Sequence, residues 1–399
     1  MLAGQVAGGA PQRVCGPRPH AARARNIGLA LKRAPIGSLR GRFLETRYVR
    51  ASLLLGISVL WIPLACLFDG ITVLVLPIRL GAGATDLGIV SFLGIAIAGM
   101  LQPIVGALSD RLRDRVDRRT VAALAAVPAI GGVWLLVGST GIIAALVGYV
   151  IVQAAAASIQ ASQQTLIPEH VDRERQGRAS GLKAAFDVGG AFIAFVVLGA
   201  ALVGGQVLLA APIITGVLVA ALAIVMLTVP GRNRARPTST GVDAPGARHH
   251  ELPRGLVPLI ASRFLFLAAT YAVGRFLLLL VAERLAIPAD RAADEAGGLL
   301  ALLTLATAAA AIPSGWLGDR MSRRELMIAG SLVAAGGITL LAPAAGMPGL
   351  LAGGLLMSLG TAAFITANWA ATTAVVAAAD AGRLMGIANL GTALAAAAA

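Results

Sequence analysis

A few polar side chains interrupt the long apolar stretches of this sequence, and their chemistry is the first thing to explain. Asp69 lies in one stretch and Arg275 in another, Gln153, Gln160, Gln163 and Gln164 crowd a third, and Asn368 sits in a fourth. A charge at the centre of a bilayer costs roughly 2.5–3.5 kcal/mol on insertion scales, so each such residue is a candidate for binding or moving a polar species. Burial raises a carboxyl's affinity for its proton and a nearby guanidinium lowers it, so an Asp69–Arg275 couple whose separation changes can take up and release a proton. The same couple would serve equally as a static pair tying two helices together. Ser358, Thr361, Ile365, Asn368 and Thr372 recur at spacings of 3 and 4 on one helical face, and Gln153, Gln160 and Gln164 share another. Their amides and hydroxyls, with Trp369 or Tyr271 to stack, suit a neutral hydroxylated ligand such as a sugar. Bonding between helices is the plainer use of any single hydroxyl. Asp187 is expected to contact Arg178 or Lys183 near the membrane boundary.

The elements that must hold these residues are membrane helices. Hydrophobic residues make up 57% of the 399 and charged residues 13%, whereas soluble domains carry about a quarter charged. Apolar segments fall at about 51–78, 86–109, 120–138, 142–165, 181–203, 206–229, 257–286, 295–317, 326–343, 347–376 and 384–399. Most reach the roughly 20 residues that span about 30 Å of hydrocarbon. Of the 33 Lys and Arg, 28 lie in or beside alternate gaps, beginning with residues 1–50, and only Arg79, Arg284 and Arg291 lie in the others. That asymmetry predicts a multi-pass protein of the cell (inner) membrane with a cytoplasmic N-terminus. It also accounts for the net charge of +14 without nucleic acid, for which aromatic residues, at 4%, are too sparse. Cys15, in the tail, and Cys66, inside an apolar run, give no ground for expecting a disulfide or a metal site. No nucleotide loop or nucleophile–base pair is present, so no cofactor, metal or enzymatic chemistry is expected. Residues 1–50 read as a disordered basic tail, 51–229 as a six-helix bundle, 230–256 as a cytoplasmic linker and 257–399 as an incomplete second bundle.

Two motifs show that the halves are repeats. G-x-L-x-D-R occurs at Gly106–Arg111 and at Gly315–Arg320, 209 residues apart, and G-R-x-x-G begins at Gly177 and at Gly382, 205 apart. A shift of 205 sets Asp69 against Gly274, beside Arg275, and Gln163 against Asn368. Asp69 and Arg275 are therefore expected to face each other across a cavity. A carboxylate at a helix end can cap the positive N-terminus of a facing helix, and glycines there permit close approach. The spacing predicts that Asp110 latches the start of the eleventh helix and Asp319 that of the fifth. Gly106, Arg111, Gly315, Arg320, Arg178 and Arg383 would complete this cytoplasmic gate. Solvated charges that only set topology are the alternative.

These motifs, the six-plus-six pattern and the central linker resemble the major facilitator superfamily over roughly residues 50 to 399. The first motif, with Pro103 upstream and an arginine-studded loop, is similar to that of sugar-cation symporters, although Asp114 and Asp117 occupy the loop where a Gly usually follows the Asp-Arg pair. The resemblance implies an all-α, two-bundle membrane fold of 6 + 5 helices, the twelfth missing and the eleventh incomplete. Helices 1, 4, 7 and 10 would line a cavity around which the halves rock. The chain is read as a monomeric secondary active transporter moving a small polar solute, a sugar among the candidates, with H+ as coupling ion. Substrate or coupling candidates are Asp69, Arg275, Gln160, Gln163, Gln164, Asn368, Thr361 and Trp369. Efflux of amphipathic compounds and a truncated, non-transporting membrane protein are the competing readings.

Overall fold

The computed structural model describes residues 51–80, 84–112, 114–203, 205–231, 252–377 and 380–398. Residues 1–50 and most of the expected linker lie outside the described residues. The described backbone is helical, without strands, and Ser52–Ala399 forms one compact unit. Its long helices are α1 (Ala51–Leu80), α2 (Ala84–Leu112), α3 (Arg118–Gly138), α4 (Ile142–Gln163), α5 (Gln176–Val203), α6 (Ala210–Thr228), α7 (Leu256–Leu285), α8 (Ala289–Gly318), α9 (Arg323–Leu341), α10 (Gly346–Val375) and α11 (Ala381–Ala398). Ten are long and apolar enough to cross a membrane. A segment in hydrocarbon must satisfy every backbone polar group within itself, and helices do so.

Several helices run further than their apolar stretches. Asp110 and Arg111 belong to the last turn of α2, and Arg118, Arg119, Arg323 and Arg324 to the first turns of α3 and α9. Hydrophobicity marks where lipid begins, whereas backbone hydrogen bonding carries the helix on until a cap or loop ends it. At α9 that cap is Ser322, whose hydroxyl accepts the Glu325 N–H at 3.1 Å. Within α1, Cys66–Val75 winds as a π-helix with wider turns. Such turns are rare and often accompany function.

The duplication is visible in the packing. α3 lies along α4 as α9 lies along α10, α2–α4 matches α8–α10, and α1–α5 matches α7–α11. Between the halves, α5 packs on α8 and α2 on α11, again a matched pair. Close crossings within each half repeat residue for residue. A Cβ on Gly148 would stand 2.8 Å from the Gly132 carbonyl oxygen, and one on Gly353 would stand 2.9 Å from that of Gly337, 205 positions along in each case. Gly337→Leu should therefore lower the unfolding temperature in detergent, with an overpacking cost of roughly 1–3 kcal/mol. Gly131→Leu, on a lipid-facing surface with nothing within 4 Å, should leave it unchanged; equal melting of the two variants would contradict this packing.

Candidate functional site

Both inter-half seams are built from the two motifs. Gly106 on α2 packs against Gly382 at the start of α11, where a Cβ on either would collide with the other's carbonyl. A Cβ on Gly177 would lie 2.7 Å from the Gly315 carbonyl oxygen, and one on Gly315 equally close to that of Gly177. This closeness brings each aspartate to a helix start in the other half. Asp110 accepts the Gly382 N–H at 2.9 Å and the Arg383 N–H at 2.8 Å. Asp319 accepts the Arg178 N–H at 3.3 Å and pairs with the Arg178 guanidinium at 3.2 Å. Burial pushes the Asp319 carboxyl above its ordinary value, while the Arg178 and Gly177 N–H groups and the Arg178 charge pull it back. Asp110 is held further by Arg118 at 2.5 Å, which reaches Ser109 and, at 3.0 Å, Glu169. Two members of the expected gate do not bridge the seam in this way. Arg111 is an exposed side chain, and Arg320 lies over its neighbour Trp316, 3.3 Å from the ring centre.

A cavity of about 1100 Å³ runs from the middle of the bundle to the helix ends opposite the seams, where Pro77, Leu87 and Leu350 line it. Its floor is a polar layer. Lys183 on α5 lies 3.9 Å from the ring centre of Trp61 and 4.4 Å from that of Trp369. The two indoles meet edge to face with centres 5.9 Å apart. Arg263 on α7 stands 4.9 Å from the Trp369 ring centre. One turn above, Asp187 receives Lys183 at 2.6 Å. Asp69, in the π-helical stretch of α1, faces the cavity with Asp187 as a nearby like charge. Along one wall Asn389 donates to Gln102 at 2.6 Å and Gln102 to Gln160 at 2.6 Å, an amide chain from α11 through α2 to α4.

The cavity thus gathers Asp69, Gln160, Thr361, Asn368 and Trp369. Thr361 donates to the Met357 carbonyl at 2.8 Å, and Asn368 accepts from Arg263 at 2.6 Å. Gln163 and Gln164 are corrections. Both are buried away from the cavity lining, Gln163 donating to the Ile57 carbonyl of α1. The twist of α4 at its end turns Gln163 into the α1 interface. The backbone of Arg275 belongs to α7, and its side chain lies outside the described residues, as does any pairing with Asp69. Sequence reasoning missed Lys183 and Arg263 as cavity groups and placed Asp187 at the boundary. The available signal was that Lys183 and Asp187 share an i, i+4 face inside a long helix and that Arg263 is a second charge in an apolar segment.

The sequence pattern of the Major Facilitator Superfamily matches residues 15–182, 62–288 and 259–399, nearly the whole chain. The chain belongs to this superfamily. It is a multi-pass membrane transporter and not an enzyme. No curated relative matches the sequence. Among solved structures, the superfamily chain is similar to the human organic anion transporter MFSD10, with 16% identity over 88% of this chain and 91% of that one and a TM-score of 0.68. It is similar to the proton:xylose symporter XylE, with 17% identity over 88% and 87% and a TM-score of 0.67. It is also similar to FucP in its outward conformation, with 16% identity over 86% and 87% and a TM-score of 0.65.

The Lys183–Asp187 pair makes a stability prediction for this transporter. Losing one partner of a buried pair leaves an uncompensated charge, typically costing about 3–5 kcal/mol, and less where one partner is part-exposed as Asp187 is. Lys183→Met should lower the unfolding temperature more than Lys183→Met combined with Asp187→Asn. If the double variant falls as far as the summed singles, the two do not act as a pair.

Proposed function

We propose that this protein is a secondary active transporter that moves a small polar solute by alternating access, with the cavity as the solute site and H+ as the coupling ion. The observation that carries this reading is the matched pair of cross-half aspartate caps beneath an otherwise accessible cavity with a polar floor. An interaction that closes one end of a passage and is duplicated by symmetry is what a gate needs. Asp110 and Asp319 with Gly106, Gly315, Arg178, Arg383 and Arg118 form that gate, at the end the charge asymmetry makes cytoplasmic. The amide chain of Asn389, Gln102 and Gln160 offers hydrogen bonds to a hydroxylated solute. Solved structures of this fold include proton symporters of xylose and fucose and an organic anion transporter; at 17%, 15% and 16% identity they share the fold with this chain, and the solute reading rests on the cavity.

Asp69 is the proton carrier in this scheme. It is a carboxylate in mid-membrane with no cation paired to it among the described residues. The titratable and charged groups around it are Asp187 and Lys183 on α5, Tyr271 and Arg263 on α7, Cys66 on its own helix, and Tyr149 of α4, which meets Thr72 at 3.3 Å. In proteoliposomes screened against small hydroxylated solutes, Asp69→Asn should abolish accumulation driven by a pH gradient while leaving exchange at equal pH intact. Accumulation that survives the substitution removes Asp69 from coupling.

The gate is tested separately. Thr373, buried beneath the floor and bonded to Gln176, is replaced by Cys and labelled with an impermeant maleimide from the seam side of oriented vesicles. Combining Asp110→Asn with Asp319→Asn should raise the labelling rate severalfold, because the neutral amides hold the facing N–H groups less strongly. An unchanged rate would mean that the caps do not hold the passage shut.

A further inference from the structure

Arg263 is a buried charge that makes no ion pair among the described residues. It is 5% exposed, and its described partners are all neutral: Asn368 Oδ1 at 2.6 Å, Thr372 Oγ1 at 3.3 Å and the Ala388 carbonyl at 3.4 Å. The other cavity cation, Lys183, already has Asp187. Removing a guanidinium from water without an opposite charge is expensive, yet this one sits at the wall of an open cavity. Three of its five N–H groups have partners, which leaves two to offer. Beside it the Trp369 indole Nε1, also buried, has no acceptor among the described residues. Three donor-bearing side chains, Arg263, Lys183 and Trp369, thus line the floor of the cavity together.

A neutral hydroxyl can satisfy one of these groups but leaves the charge of Arg263 uncompensated. A carboxylate satisfies the charge and accepts two parallel N–H bonds from the guanidinium. The charge inventory sets its valence. The charged groups described in the lining are Asp69, Asp187, Lys183 and Arg263, two acids and two bases; with Lys183 spent on Asp187 and a proton on Asp69, one positive charge remains for one negative charge on the ligand. A dianion such as a phosphate monoester would exceed it.

We propose that the solute is a small organic monocarboxylate, its carboxylate seated on Arg263 with Trp369 and Lys183 as further donors. The body of the solute lies toward the amides of Gln102, Gln160 and Asn389. This deepens the reading above and rests on the cavity being the solute site. Entry of the carboxylate together with one proton on Asp69 leaves the charge of the site unchanged, so coupled uptake is electroneutral and insensitive to membrane potential.

The purified protein is titrated with matched pairs, gluconate against glucose and lactate against propane-1,2-diol, first by thermal unfolding and then by counterflow in proteoliposomes. The carboxylate of at least one pair should raise the unfolding temperature and exchange across the bilayer, and its neutral mate should do neither. Arg263→Gln should weaken that binding at least about tenfold. Arg263→Lys keeps the charge and should retain part of it, and Trp369→Phe, which removes only the N–H and part of the ring, should weaken it less. No preference for the carboxylate in either pair, or a preference undiminished in all three variants, overturns the proposal. If neutral members exchange as well as the carboxylates, the cavity remains the solute site and only the anion assignment falls. If carboxylates bind at Arg263 but none crosses the bilayer, the anion site stands and the transport role of the cavity falls.

Discussion

The first backbone N–H groups of a helix have no partner inside it, and in this protein two such helix starts find their acceptor in the opposite half of the chain. Asp110 closes the start of α11 and Asp319 the start of α5. Much of the architecture serves that contact. The glycines of both motifs let the backbones come within touching distance, and the long α2 and α8 carry their carboxylates past the apolar zone to reach it. Because the positive end of a helix dipole favours a carboxylate, the contact is electrostatic and reversible. Grease alone, in a membrane whose lipid is just as apolar, would give no such preference.

What the cavity owes to this arrangement is its polarity gradient. At the seam end the bundle is shut by backbone contact. Above it come the two indoles with Lys183 and Arg263, then Asp69 and Asp187, then the apolar mouth around Leu87 and Leu350. Cations lie below and acids above. The Lys183 ammonium is stabilised by two aromatic faces as well as by Asp187, so its position is fixed more firmly than that of Asp69, which faces open space.

Much of the fold was legible because it rests on features that survive in one dimension. Apolar length, the alternation of basic gaps and a twice-repeated motif are all local, and they were enough to place eleven helices and the partners of Asp110 and Asp319. The site was legible only in part, because which face of a helix meets the cavity depends on its rotation. Gln160 and Gln163 are neighbours on α4, yet the first reaches Gln102 at the cavity and the second bonds the Ile57 carbonyl inside the α1 interface. Lys183 read as a boundary charge because polar residues near helix ends usually reach for water. Here the surrounding helices turn it inward, where two tryptophans distant in sequence receive it. No pattern on α5 alone announces Trp61 and Trp369.

The two seams also differ in a way the repeat does not require. Asp110 is gripped by Arg118, whose side chain is 5% exposed, whereas Asp319 is gripped by Arg178, whose side chain is 51% exposed. Mobile ions reach the second pair freely and the first hardly at all. Arg178 reaches Asp319 across the α5–α8 seam, whereas Arg118 holds Asp110 from within the same half, so the ion pair that added electrolyte weakens most is one that joins the two halves.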